Sequence, residues 1–260
     1  MRPLTFLCLV LTLLFALFVL GVMIALCLPV PPGDLLAAVS SAETFFALRL
    51  SLICAVCATL VALLWGVPAG YLLARKRFRG KLVLDTLLDI PMIIPPLVVG
   101  VGILFLLSRS GLGGMMGGWG IQVLFTPYGA FAAQTFIVLP IIIRTSRVAF
   151  EGVHPGYEAA ALTLGLAPVR VFFKITLPLA RPGILSGAIL AMARAMGEFG
   201  ATLMVAGATR MKTETLPIAV YLNISSGELG IALSCAWILI VTSVLILVLL
   251  KTFAKSAPRN

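Results

Sequence analysis

From Leu4 to Leu28 the chain carries no charged residue, and five more long apolar stretches follow. A helix of ~20 residues crosses the ~30 Å hydrocarbon layer of a bilayer, so each stretch has the length of a span. Inside that layer every backbone N–H and C=O must be satisfied by protein, which restricts the chain to helices or a closed barrel. Barrel strands alternate apolar and polar residues, whereas these runs are continuous, so helices are expected. Composition agrees. Of the 260 residues, 61% are hydrophobic and 11% charged, whereas soluble domains carry ~25% charged residues. The predicted fold class is an all-α polytopic membrane protein with about six transmembrane helices.

The spans are expected at Leu4–Leu28, Glu43–Ala74, Leu82–Leu107, Pro127–Thr145, Gly183–Gly207 and Leu229–Leu250. A signal-peptide core usually runs ~7–15 residues, so the longer first run is read as a retained helix. Leu26 before Cys27 also does not suit a lipoprotein cleavage site. Pro29 to Ser41 reads as an outside connector. Gly66 and Pro68 are expected to kink the second span rather than end it, because neighbouring helices can satisfy the freed carbonyl. Pro91, Pro95 and Pro96 break regular hydrogen bonding in the third span. Such backbone is tolerated where it is buried in protein or lines an aqueous path, and Pro95 to Gly102 is read as pore-facing. Ser108–Gly120 and Thr209–Glu228 are expected outside, the second with a short interfacial helix over Leu216–Tyr221.

A formal net charge of +10 would suit an anionic partner, but its distribution has a plainer cause. Arg75, Lys76, Arg77, Arg79 and Lys81 share one loop, and Arg144, Arg147, Arg170, Lys174 and Arg181 flank another. Arg2, Lys251, Lys255 and Arg259 fall on the same side, against Arg109, Arg210 and Lys212 on the other. Positive residues accumulate on the cytoplasmic side, which places both termini there and argues against nucleic acid as a partner. The basic loop can also touch anionic membrane lipid. Five cysteines lie in apolar runs. Cys54 and Cys57 share a helical face without a second ligand pair, so packing is expected and no metal site is assigned. The single histidine, His154, reads as a loop or capping residue.

Charges inside the apolar runs call for a reason, because they are costly in hydrocarbon and mark either internal pairs or a pathway. Asp85 and Asp89 lie one turn apart near the basic loop and are expected to pair with Arg or Lys there. Arg194 and Glu198, four residues apart, are expected on one helical face. Two readings stand beside each other for that pair: mutual neutralisation that joins helices, or a gate element that exchanges partners. Gly197, Gly200, Ala201 and Gly207 would allow close helix approach. Residues assigned to the path or gate are Pro95, Pro96, Arg194, Gly197, Glu198 and Thr202.

One stretch between spans, Tyr157 to Pro178, carries Glu158, Arg170 and Lys174 and so cannot itself cross the membrane. Its alanines and leucines favour a short helix, with Gly165 as the C-terminal cap. Pro168 can open a second helix, which Leu177-Pro178 would end. An alanine-lined helix presents a narrow face suited to another protein's groove.

This stretch resembles the signature loop of permease subunits in ABC-type importers. The matching residues are Glu158, Ala159, Ala160, Ala161, Gly165, Ile175, Leu177 and Pro178. Phe125-Thr126-Pro127, Ala133 to Phe136, Leu139-Pro140 and Ala193 to Thr202 are similar to the molybdate branch, with sulfate permeases as close relatives. Leu162 departs from that branch, which often has a basic residue there. The resemblance covers roughly residues 44 to 250. It implies a type I permease fold over 43–251, preceded by a first helix and connector over 1–42 and followed by a tail over 252–260. It also implies that the loop is a cytoplasmic coupling helix seated in an ATP-binding subunit. The implied partners are two copies of that subunit, a second permease copy and an external substrate-binding protein in the cell inner membrane system.

The chain has no GxxxxGK[ST] phosphate loop, since Gly80-Lys81 is followed by Leu82. No cofactor is assigned to it; ATP and Mg²⁺ would be used by the partner subunit, and no catalytic residue is assigned. Sulfate or thiosulfate transport is the alternative within the family. A different class, an ion-coupled secondary transporter, would use Asp85, Asp89 or Glu198 as its proton site.

Overall fold

A computed structural model describes residues 3–108 and 122–256. The outside segment expected at Ser108–Gly120 falls, beyond Ser108, outside the described residues, as do Arg2, Arg109 and Arg259. Two long helices form the spine: α3 (Ala42–Arg75) and α6 (Pro127–Glu151). Along the chain α1 (Pro3–Cys27) and α2 (Pro32–Ser40) precede α3, and α4 (Lys81–Ile93) and α5 (Pro96–Leu106) lie between α3 and α6. At ~1.5 Å per residue α3 is about 50 Å long, more than a bilayer core requires. Its basic end therefore projects beyond the hydrocarbon. Pro68 sits inside the uninterrupted helix, as the sequence predicted.

Small residues make the spine tight. Ala55, Ala58 and Ala62 of α3 pack with Val138 and Ile142 of α6 in the central core. A Cβ added to Gly70 would lie 2.9 Å from the backbone nitrogen of Arg147, so the two helices approach to backbone contact there. Without a hydrophobic drive inside lipid, such close van der Waals packing is what holds helices together.

The third span is not a straight helix. α4 and α5 are bent by 113°. Ile94, with ψ 136°, takes the extended conformation that a following proline imposes. Pro96 then opens α5, where its missing N–H costs nothing.

The fourth span runs past Thr145 to Glu151. After it come α7 (Pro155–Thr163) and the helical segment α8 (Pro168–Met196). The expectation that Leu177-Pro178 ends a helix is wrong. Phe172–Thr176 form one π-turn, and the helix continues from Leu177 without a stop. The widened turn already departs from the i→i−4 ladder, so it absorbs the donor that Pro178 lacks.

The predicted fifth span, Gly183–Gly207, likewise needs correction. α8 stops at Met196, Gly197 to Phe199 form a turn, and α9 (Gly200–Ala206) follows. Gly200 packs against Leu97 of α5, whereas Gly197 meets nothing beyond its own helix and is no packing glycine.

At the opposite end, two expected connectors are ordered. Pro29–Ser41 contains helix α2, opened by Pro32 at its first position. The short helix extends over Leu216–Ser225 (α10), and it is packed rather than interfacial. Leu216 and Ala219 join Ala47 and Cys235 in a buried cluster, and the Leu216 N–H donates to Ser51 Oγ at 2.8 Å. The last helix, α11 (Leu229–Ser256), carries the sixth span at Leu229–Leu250. α1 is exposed along most of its length and touches α11. Cys54 is buried and Cys57 exposed, so the two thiols do not share a packing face.

Among the described residues five helices are long and apolar enough to cross a membrane, six with the bent pair counted as one span. The close approach of the spine generates a paired prediction. Gly70→Ala should lower stability by about 1–3 kcal/mol through overpacking. Gly102→Ala, with nothing within 4 Å of the new methyl, should not. Thermal unfolding of the purified protein in detergent checks the pair; equal melting temperatures would contradict the spine geometry.

Candidate functional site

Helix α7 is built as a hook. His154 caps its N-terminus, with Nδ1 accepting the Gly156 N–H at 3.0 Å, and Pro155 takes the first position. Its C-terminus closes by two reverse bonds, Leu166 N–H to Ala161 O at 3.1 Å and Gly165 N–H to Leu162 O at 3.0 Å. That closure requires a left-handed residue, and Gly165 supplies it with φ +83°. The sequence anticipated both the helix and its cap. Ala161 is buried toward the protein, while Tyr157, Ala159, Ala160, Leu162 and Leu164 face outward. Leu164 is 81% exposed. An apolar, small-residue face left uncovered at the end of a membrane protein is a surface for another protein.

The hook is tied to the body through one carboxylate. Glu158 Oε1 accepts from Arg75 Nε at 3.0 Å and from Thr176 Oγ1 at 2.9 Å. Arg75 Nη2 also donates to the Val153 carbonyl at 2.8 Å. The side chains of Arg75 and Glu158 are 12% and 17% exposed. Of the other residues singled out in this stretch, Ile175 lies in the π-turn and is half-buried, Leu177 is half-buried, and Pro178 is exposed. Arg75 was read as one of a run of topology charges, and Thr176 was not singled out. The available signal was position, since Arg75 is the last residue of an over-long helix.

Asp85 and Asp89 are paired, as the sequence suggested, but with α6 rather than the basic loop. Arg147 Nη1 donates to Asp85 at 2.7 Å, and Arg144 Nε to Asp89 Oδ1 at 2.7 Å. α4 buries none of its residues, so these two pairs are its principal attachment.

The path residues divide. Pro95 is exposed at the 113° bend and Pro96 half-buried beyond it. Arg194 lies in the last turn of α8 and Glu198 in the turn after it, so they do not share one helix. They still meet: Arg194 Nη1 is 2.6 Å from Glu198 Oε2. The contact is a charge pair without an aligned hydrogen bond, since Oε2 accepts none. Glu198 Oε1 accepts the Ala201 N–H at 2.9 Å. Exposure is unequal, 36% for the Arg194 side chain and 1% for that of Glu198. Thr202, one helical turn on, is buried with Oγ1 lacking a partner in the protein, and Gly197 is exposed. Arg194, Glu198 and Thr202 therefore cluster at the break, while Pro95 and Pro96 belong to a separate bend.

A further buried acid escaped the sequence reading. Glu214, in the loop before α10, is almost fully enclosed, with Oε2 accepting the Met211 N–H at 3.0 Å. Burial pushes its carboxyl up from the ordinary range, partly opposed by that N–H.

A bundle of spans, two breaks in the helical ladder and a protruding apolar hook define a class: the membrane component of a multi-subunit transport system. The profile described as "Binding-protein-dependent transport system inner membrane component" matches residues 66–257. The chain belongs to that family. It is 42% identical over 193 residues to the molybdenum transport system permease protein ModB of Escherichia coli (strain K12), covering 73% of this chain and 84% of that protein. It is 36% identical over 204 residues to the sulfate transport system permease protein CysW of Synechocystis, covering 78% and 74%. The fold matches that of a solved bacterial ABC transporter involved in importing alginate, with TM-score 0.73, 17% identity and coverage of 98% and 96%.

Removing one partner of a buried pair costs about 3–5 kcal/mol; with Arg194 36% exposed and only Glu198 enclosed, the low end of about 3 kcal/mol is expected when Arg194 is lost. Arg194→Gln and Glu198→Gln should each lose most transport and stability, while the exchange R194E/E198R should retain more of both. Uptake assays and thermal unfolding check this; equal loss in all three variants would remove the pairing as the reason for these residues.

Proposed function

We propose that this chain is the permease subunit of an ATP-driven importer that carries molybdate, or the isosteric tungstate, into the cytoplasm. The observation that carries this reading is the 42% identity to a molybdenum transport system permease. Helix α7 is the coupling helix, and its outward face of Tyr157, Ala159, Ala160, Leu162 and Leu164 seats in a cleft of a separate ATP-binding subunit. Two copies of the chain enclose the path between them, with one ATP-binding subunit beneath each and a substrate-binding protein docked outside. The hook and both termini lie in the cytoplasm, in keeping with the basic residues gathered at that end.

Transport follows from alternating access. Closure of the ATP-binding subunits on ATP and Mg²⁺ pulls the two hooks together, and the spans pivot to open the path outward. Hydrolysis releases them. Arg194, Gly197, Glu198 and Thr202 at the break after α8, with Pro95 and Pro96 at the bend between α4 and α5, are the proposed gate. A break in a span is where the backbone can change direction without unravelling a helix. High affinity resides in the external binding protein, because a tight site in the path would hold its cargo.

Sulfate is the second reading, favoured by the 36% identity to a sulfate permease. The ion-coupled alternative loses its candidates, since Asp85 and Asp89 are each held by an arginine of α6 and Glu198 by Arg194.

Reconstituted with its ATP-binding subunit and receptor in proteoliposomes, the chain should take up labelled molybdate only with ATP inside. A tenfold excess of sulfate should lower uptake by only about a tenth, which corresponds to a preference of about a hundredfold, or about 2.8 kcal/mol. ATP-independent accumulation would overturn the importer reading, and full competition by sulfate would transfer it to the second cargo. Gly165→Val should also weaken recovery of the ATP-binding subunit, because a β-branched residue at φ +83° opposes the cap by about 1–2 kcal/mol. Unchanged co-purification would count against the coupling role.

A further inference from the structure

Resting on the coupling-helix reading, we infer that Arg75 is the positioning residue through which motion of α7 reaches the membrane spans. The observation is geometric. A single guanidinium at the end of α3 holds the Val153 carbonyl at the turn between α6 and α7, and the Glu158 carboxylate on α7 itself. That carboxylate oxygen in turn holds Thr176, whose side chain is fully buried in the π-turn at the root of α8. Four elements thus meet at two side chains.

The rest of the hook is loosely held. Ala161 is the one fully buried residue of α7. Its main packing is against the start of α8, and Arg75 supplies the polar link to α3. Charge-assisted hydrogen bonds are shorter and stronger than neutral ones, and an arginine fork fixes direction as well as distance. Two elements that receive the pull are suited to move as units. The end of α3 is clamped to α6 by the Gly70 approach and by Tyr71, whose ring packs edge-on to Phe150 and Phe172 at 5.2 and 4.8 Å. The π-turn is a place where α8 departs from α-helical hydrogen bonding, and it can change its register without breaking the span. Displacing Glu158 therefore draws on α3 through Arg75 and on α8 through Thr176 at the same time.

Lysine keeps the charge but is a single point donor that cannot span two acceptors as the fork does. Arg75→Lys is thus a conservative test of geometry, Arg75→Gln a test of charge, and Thr176→Val an isosteric test of the second arm. The readout is the number of anions taken up per ATP hydrolysed by the full complex in proteoliposomes, with co-purification of the ATP-binding subunit measured alongside. A merely structural role lowers the amount of complex recovered and leaves that ratio alone. With two charge-assisted bonds removed, Arg75→Gln should lower the ratio by about tenfold. Arg75→Lys should lower it less, and Thr176→Val should lower it while keeping the subunits together. A ratio unchanged in Arg75→Gln and Thr176→Val overturns the inference and leaves the coupling-helix reading standing. A wild-type complex without a bound ATP-binding subunit overturns that reading, and the inference with it. If Arg75→Gln does not assemble, the Arg75→Lys and Thr176→Val ratios decide alone.

Discussion

A backbone in hydrocarbon has no water to satisfy it, and every departure from the α-helical ladder there must be compensated by protein. Among the described residues, three interruptions of the α-helical course stand out within the spans. Ile94 and Pro95 separate α4 from α5, Gly197 to Phe199 separate α8 from α9, and the π-turn lies at Phe172–Thr176. Each departure coincides with polar chemistry. The bend lies beyond the helix that Asp85 and Asp89 fasten to α6; the turn contains Glu198, which accepts the Ala201 N–H; the π-turn contains Thr176, bonded to Glu158.

Charge is arranged with the same economy. At the basic end Arg75, Arg144 and Arg147 each meet a carboxylate from a different helix, so these charges bind the protein's parts together. Deeper, Arg194 and Glu198 neutralise one another, with the acid enclosed and the base partly open. At the other end Arg210 reaches Glu43 at 2.8 Å and so ties the loop before α10 to the start of α3.

The spans, the broken third helix and the hook with its glycine cap were legible in the sequence, because run length, proline and Gly165 act locally. What could not be read depends on contacts distant in the chain. Nothing in residues 81–93 says that Asp85 and Asp89 will choose Arg147 and Arg144 over the nearer basic loop. Pro178 looked like a helix end because proline normally is one; the π-turn that absorbs it begins at Phe172, whose ring packs on Tyr71 from a distant helix. Leu216–Tyr221 looked interfacial because composition does not reveal that Ala47 and Cys235 bury it. Arg75 was hidden among four basic neighbours that resemble it in every local respect. The site was half visible: its outward face was apparent, its tether was not.

The central claim is that a separate ATP-binding subunit grips α7 from the cytoplasm. The most direct measurement places a photo-crosslinking amino acid at Leu164, which projects from the hook, in cells that express the whole transporter. Illumination should yield one dominant adduct of the mass of this chain plus the ATP-binding subunit. An adduct with the external binding protein instead, while uptake continues, would put the hook on the wrong side of the membrane and contradict the account.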